Sequence, residues 1–246
     1  MVTADSLFNG RLTLFQAKDG YRFSLDAILL AGITRVRPSD RIVDLGTGCG
    51  VIPLILAYRK LGESLLGLEL QPELVELARR NIDVNGLQDQ VRLLEVDFRE
   101  VSKSLPAESA DLVVSNPPYR RLKTGRINPD RQRAVARHEL TGSVVDVFEA
   151  ASHLLAQGGR LAVIYPAVRL DHLIATALRC AFRPKELTII YSNALDCARL
   201  VHLECRKGGG EELRIAPPFF IYGEDGQYSE PMRAIYEGAS TINENE

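Results

Sequence analysis

Five short runs rich in Val, Ile and Leu recur along the chain, at residues 41–45, 65–70, 91–96, 111–115 and 160–165, with longer segments of helical period between them. Continuous apolar strands alternating with helices predict a parallel sheet covered on both faces. The helices are predicted at 51–60, after a glycine loop; at 72–84, opened by a proline and closed near Asn85-Gly86; at 143–155, before Gly158-Gly159; and at 169–180, before Pro184. Two more apolar runs, 186–191 and 199–206, follow without a helix between them and are predicted to pair antiparallel at one end of the sheet. The expected fold class is α/β: a doubly wound, mostly parallel seven-stranded sheet with an antiparallel strand at one end.

The pattern also divides the chain. Residues 1–36 carry Phe8, Phe15, Tyr21 and Phe23 and then an apolar stretch at 27–31, which suits an N-terminal cap and a helix. Residues 37–210 form the main domain, interrupted by a basic loop at 120–138. Residues 211–246 are expected to pack on that domain as a C-terminal extension, joined through the flexible Gly208-Gly209-Gly210 and fraying after Ile242.

Composition narrows the setting. With 246 residues, 46% of them hydrophobic, the chain can bury a substantial core. Cys49, Cys180, Cys197 and Cys205 form no Cys-x-x-Cys pair, and the N-terminus does not resemble a signal peptide, so the reducing cytoplasm is the expected compartment. No apolar run approaches the roughly 20 residues needed to span a bilayer, which excludes a membrane helix as the expectation. The net charge of −2 is unevenly placed: Arg120, Arg121, Lys123, Arg126, Arg131, Arg133 and Arg137 against Asp130 give one segment +6, and leave the remainder at −8. A basic loop on an acidic body fits a polyanionic substrate approached locally; a solvated, Arg-rich surface loop is the alternative.

The candidate chemistry sits at the strand ends. Asp44-Leu45-Gly46-Thr47-Gly48-Cys49-Gly50 reads as strand, glycine turn and helix start, so that Gly46, Thr47, Gly48 and Gly50 let the backbone approach a ligand under free helix N–H groups. Its G-x-G-x-G spacing argues against a dinucleotide, and Asp44 suits a cationic ammonium better than a pyrophosphate. Glu69, followed by Leu70 at the second strand end, stands where an acid accepts from ribose hydroxyls. Asp97 and Phe98 end the third strand, positioned to accept from an adenine amino group and to contact its ring; capping of the following helix is the other role open to Asp97.

Asn116-Pro117-Pro118-Tyr119 ends the fourth strand. An amino group conjugated to a ring or carbonyl is a poor nucleophile, and a site that alkylates it must hold its N–H groups with acceptors. The Asn116 side-chain oxygen and the Pro117 carbonyl supply two, and Tyr119 offers a stacking face. The same four residues can also be a turn. His138 and Glu139, past the basic loop, are open to reading as a catalytic pair, with loop closure or helix capping the preferred role.

Taken in order, the Asp44–Gly50 loop, Glu69, Asp97 and Asn116-Pro117-Pro118-Tyr119 resemble class I S-adenosylmethionine-dependent methyltransferases, in the branch that methylates planar nitrogens. The stretch from Phe15 to Ala31 further resembles the bacterial tRNA (adenine-N6) methyltransferases of the valine-tRNA type. The resemblance spans most of the chain, from Gln16 to Arg206, and it implies S-adenosylmethionine as cofactor, with Arg22, Phe23 and Asp26 closing over it and Asn116 touching both cofactor and acceptor. It implies RNA, most plausibly tRNA, as partner, held as a splayed base against Tyr119 with Arg120, Arg121, Lys123 and Arg126 near its phosphates. Transfer is then direct, resting on orientation and hydrogen bonding, with no metal and no covalent intermediate. The pattern carries no signal for the oligomeric state.

Four rivals remain. Glutamine N5-methyltransferases of the release-factor type share Asn-Pro-Pro-Tyr, but that family carries a sizeable helical N-terminal domain, whereas about 40 residues precede the first strand here. DNA adenine methylation lacks an evident target-recognition domain. A nonenzymatic cofactor-binding RNA module has no need of Asn116 and Tyr119 together. A nicotinamide oxidoreductase conflicts with the glycine spacing.

Overall fold

The computed structural model describes residues 2–17, 25–118 and 142–238. Tyr21, Arg22, Phe23, Tyr119, the basic loop with Arg120, Arg121, Lys123 and Arg126, His138, Glu139 and the tail from 239 lie outside the described residues.

The strands are β1 (Val2–Leu7), β2 (Leu12–Ala17), β3 (Arg41–Leu45), β4 (Ser64–Glu69), β5 (Val91–Glu95), β6 (Ala110–Ser115), β7 (Leu155–Pro166), β8 (Phe182–Tyr191), β9 (Ala198–Lys207), β10 (Arg214–Ile215) and β11 (Phe219–Phe220). The helices are α1 (Leu25–Ile33), α2 (Val51–Tyr58), α3 (Pro72–Val84), α4 (Val144–Leu154), α5 (Leu170–Arg179) and α6 (Glu230–Tyr236). Ser143 caps α4 in a reciprocal capping box with Asp146, which fixes where the chain re-enters the fold after the basic segment.

The main sheet runs β10-β8-β9-β7-β6-β3-β4-β5, with β11 also alongside β8. Among the described residues it has nine strands, two more than expected, because the C-terminal extension contributes β10 and β11, both parallel to β8. The antiparallel strand is β9, and it lies between β7 and β8 rather than at the edge. Strand β7 begins at Leu155, five residues before the expected start, and the helix preceding it ends before the glycines.

Alternation explains the layering. Ile42, Leu112, Val114, Ala162 and Ile164 face one core with α1, α2, α3 and α6, while Val43, Leu45, Val113, Leu161 and Val163 face the other with α4 and α5. Strands buried on both faces read as unbroken apolar runs, which is why the sequence pattern exposed them.

The N-terminal segment holds the helix expected over its apolar stretch, α1. Before α1 it folds as a separate antiparallel hairpin, β1 with β2, turning at Phe8, Asn9 and Gly10 with positive φ. Left-handed backbone is strained for a bulky side chain. Phe8 is nonetheless buried and stacked on Tyr58 at 4.5 Å, so burial holds the turn in place.

Candidate functional site

Chain order dictates where a site can form. From β3 the chain moves outward to β4 and β5, then returns to the other side of β3 as β6. The crevice at this reversal, beyond the C-terminal ends of β3 and β6, is where open α/β sheets bind ligands. The glycine loop leaves β3 there and Asn116 leaves β6 there.

The register aligns the candidates along one edge. Asp44 pairs with Val114 and with Gly67, and Glu69 pairs with Glu95. Asn116, Gly46, Glu69 and Asp97 therefore follow the ends of adjacent strands β6, β3, β4 and β5, a row of about 15 Å at the usual strand spacing. Ser115 Oγ donates to the Leu45 carbonyl at 2.8 Å, locking the two central strand ends together.

In the glycine loop Gly46, Gly48 and Gly50 all have positive φ, a path that L side chains rarely follow. The loop also needs room: a Cβ on Gly67 of β4 would lie 2.8 Å from Thr47 Cγ2. Gly67 is thus the floor on which Thr47 rests.

Three side chains at this crevice bury polar atoms without a partner among the described residues: both carboxylate oxygens of Asp44 and Thr47 Oγ1, on buried residues, and Oδ1 of the half-buried Asn116. Burial pushes the Asp44 pKa from 3.8 up to about 7; the Thr47 hydroxyl opposes this without completing a hydrogen bond, and the Glu69 carboxylate adds to it. Stranding such groups costs roughly 1–3 kcal/mol each, so they mark places for ligand atoms. Asp44 calls for a cation and Asn116 for an N–H donor.

Glu69 is also buried, and each of its oxygens already accepts one backbone N–H: Oε2 from Gly48 and Oε1 from Gln71, both at 2.9 Å. The Gln71 side-chain amide also reaches Oε1, at 3.5 Å; of a carboxylate's roughly four acceptor positions one therefore stays open, and a second opens when a ligand hydroxyl displaces that long bond. Leu70 follows Glu69, half-buried.

Asp97 does what the capping alternative described. It accepts from Arg99 N at 3.0 Å and grips the Arg99 guanidinium through both oxygens, and these bonds hold its carboxyl below the usual range. Phe98 is buried, with Gly46 on one side and Gly142 against its ring, so the residue that closes the basic segment touches the same aromatic side chain as the glycine loop. Pro117 is buried and Pro118 half-buried after Asn116.

Asp26 lies in the first turn of α1, half-buried. The far end of α1 approaches the opposite sheet edge, where Arg35 N donates to Glu204. Asp26 stands at the other end of that helix. Its neighbours Arg22 and Phe23 are outside the described residues.

Sequence reasoning missed Asn81. Its side chain, fully buried on α3, bonds both the N-terminal hairpin and the glycine loop. The available signal was Asn81 and Asn85 at helical spacing i, i+4 on one face of an otherwise good helix, since asparagine competes with helical backbone.

Among the described residues no helix is long and apolar enough to cross a membrane, and no cluster of three or more His, Cys, Asp or Glu is placed to hold a metal.

Against known proteins, the family model "Methyltransferase small domain" matches residues 25–188. A tRNA1(Val) (adenine(37)-N6)-methyltransferase of Tolumonas auensis is 32% identical over 163 residues, 66% of this chain and 66% of that protein. The match thus spans just under two thirds of that relative's length. The protein of the same name from Dickeya chrysanthemi is 29% identical over 215 residues, 85% of this chain and 84% of its own. Among solved structures, the predicted O-methyltransferase Atu636 of Agrobacterium tumefaciens has a TM-score of 0.71 at 24% identity, over 89% of this chain and 99% of that one. TrmN from Thermus thermophilus has a TM-score of 0.53 at 22% identity, over 74% and 48%. These two likenesses are of fold.

Proposed function

The chain belongs to the methyltransferase small domain family, and from that premise we propose that it is an enzyme that transfers the methyl group of S-adenosylmethionine to the exocyclic N6 of an adenine in tRNA. The observation that carries the reading is Asn116 Oδ1: a buried acceptor without a partner among the described residues, at the end of the strand next to the glycine loop. Relatives named for adenine N6-methylation of tRNA1(Val) supply the acceptor class.

The residues present fit the cofactor. S-adenosylmethionine supplies, when bound, a methyl group activated on a sulfonium. Asp44 takes its ammonium, and Glu69, already oriented by Gly48 and Gln71, accepts from the ribose hydroxyls. Thr47, Gly46, Gly48 and Gly50 line the approach, with Leu70 beside the ribose. Asp97 accepts from the adenine amino group by giving up one of its bonds to the Arg99 guanidinium, which holds both carboxylate oxygens, and Phe98 backs the ring. Arg22, Phe23 and Asp26 cover this side, as the N-terminal part of a cap.

On the acceptor side, Asn116 Oδ1 and the Pro117 carbonyl take the two N–H groups of the target amine. Held so, the nitrogen pyramidalises and its lone pair leaves the ring system, which is the rate advantage the site provides. Tyr119 stacks the splayed base, and Arg120, Arg121, Lys123 and Arg126 meet flanking phosphates. The N6 proton is lost to solvent after transfer. A tRNA substrate sets the place of work in the cytoplasm.

The test is incubation with methyl-labelled S-adenosylmethionine and, separately, total tRNA, bulk protein and DNA, followed by digestion. Label in N6-methyladenosine from tRNA is the expected result. Label in protein glutamine or in DNA, or no transfer, overturns it.

A further inference from the structure

We infer that Asn81 is a positioning residue that couples the N-terminal hairpin to the glycine loop. The inference rests on the reading of residues 46–50 as the loop that holds S-adenosylmethionine.

Asn81 is 0% exposed. Its amide offers one carbonyl oxygen and two N–H groups, and all its recorded bonds go to backbone. Oδ1 accepts from Phe15 N at 2.6 Å, while Nδ2 donates to the Phe15 carbonyl at 3.0 Å and to the Cys49 carbonyl at 2.9 Å. One side chain therefore closes a two-bond pairing with β2 and reaches the loop as well.

The loop contact fixes a peptide plane. The Cys49 carbonyl is held by Asn81, and the N–H of the same peptide unit, on Gly50, donates to the Thr47 carbonyl at 3.0 Å. In a trans peptide these two groups point in opposite directions, so a rotation of the plane loses both bonds. Two units earlier, in the Thr47–Gly48 peptide, Gly48 N–H is fixed by Glu69. Glu69 and Asn81 thus hold two peptides of the same loop, one from β4 and the other from α3.

Asn85, one helical turn on, supplies an internal control. It makes the same two-bond pairing with Thr13, accepting from its N–H at 2.9 Å and donating to its carbonyl at 2.7 Å. Its other recorded bond is to the Asn81 carbonyl at 2.7 Å, within α3. Both asparagines act as a strand edge for β2, but only Asn81 extends the pairing into the loop. Docking of the hairpin and ordering of the loop share one side chain, and any such linkage acts in both directions: a ligand that orders the loop also holds the hairpin.

The test uses S-adenosylhomocysteine as probe, with calorimetry and hydrogen exchange on the whole chain. Asn81→Ala is expected to raise the dissociation constant about tenfold or more, the loss of a well-made buried hydrogen bond. Asn85→Ala is expected to lower the melting temperature comparably yet leave that constant within about twofold. In the wild type, added S-adenosylhomocysteine slows exchange of the β2 amides; in Asn81→Ala at saturating probe it does not. Equal weakening by both variants, or β2 amides indifferent to the probe in the wild type, overturns the coupling. Should Asn81→Ala fail to fold, Asn81→Asp, which keeps the acceptor for Phe15 N–H but loses both donors, and the wild-type exchange result decide. A wild-type chain that binds no S-adenosylhomocysteine defeats the cofactor reading and the coupling together, whereas binding with a silent hairpin defeats the coupling alone.

Discussion

Glu69 Oε2 accepts the Gly48 amide at 2.9 Å, which makes the glycine loop and the end of the second core strand a single unit. The same carboxylate is both a structural clamp and the proposed ribose acceptor. In Glu69→Gln the new NH2 group faces either the Gly48 or the Gln71 N–H, so one backbone donor loses its partner. S-adenosylmethionine affinity should fall about 10- to 100-fold, in line with loss of charge-assisted hydrogen bonds. Calorimetry measures the loss, and a variant with wild-type affinity contradicts the assignment.

Asn116→Ala separates chemistry from binding. The cofactor's anchors at Asp44 and Glu69 are untouched, so affinity for S-adenosylmethionine stays within about threefold while kcat drops by about 100-fold or more, the usual consequence of removing an oriented polar group from a reacting centre. Single-turnover methylation of tRNA reads the chemical step directly. Full activity removes Asn116 from the mechanism.

Asp44 gives the protein a pH dependence. Its folded pKa of about 7 lies above the ordinary 3.8 because burial disfavours the charged form. Between these values the ligand-free folded chain holds a proton that the unfolded chain has lost, so this group makes stability fall as pH rises from about 4 to about 7. The limit is on the order of 4 kcal/mol. Thermal melts of Asp44→Asn against wild type should converge near pH 4, diverge as pH rises to about 7 with the variant the more stable, and stay a constant distance apart above that. Binding of a cation reverses the preference, so S-adenosylmethionine binds more tightly as pH rises through this range and releases a proton. Calorimetry in buffers of different ionisation enthalpy detects that release; its absence argues that Asp44 is already charged.

Gly142 marks where the basic segment rejoins the core. It has φ +85°, and a Cβ there would lie 2.6 Å from Phe98 Cζ. Gly142→Ala incurs both backbone strain and a ring displacement, for a stability loss of about 2–3 kcal/mol. Because Phe98 also lies beside Gly46, cofactor affinity should weaken along with it. Urea denaturation and calorimetry together check this, and a neutral substitution shows that Phe98 yields freely.

Neutralising Arg120, Arg121 and Lys123 together should weaken tRNA binding and flatten its dependence on salt. Three fewer phosphate contacts reduce the slope of log K against log salt by about 2–3. Filter binding across a salt series gives the slope. An unchanged slope assigns the segment to solvated surface.

Much of this protein was legible from local pattern. Strands β3 to β7 announced themselves because burial on both faces leaves unbroken apolar runs, and the order of Asp44, Glu69, Asp97 and Asn116 along the chain placed all four at strand ends on one edge. Periodicity also set the starts of α3 and α4, where Pro72 and the Ser143 cap are local chemistry.

Features built from long-range pairing were out of reach. That β9 lies inside β8, and that β10 and β11 lengthen the sheet, depends on which strand edges meet, and short strands carry too few residues to signal it. The N-terminal hairpin was hidden because its polar face looks like loop until Asn81 and Asn85, about 70 residues away, complete its edge. Electrostatic character divides between the two: tertiary burial lifts Asp44 to about 7, whereas Asp97 is lowered by Arg99, only two residues on. Residue order fixed which groups reach the edge of the sheet, because it sets strand ends; the burial of Asp44 and the couplings of Glu69 and Asn81 to the glycine loop come from neighbours distant in the chain.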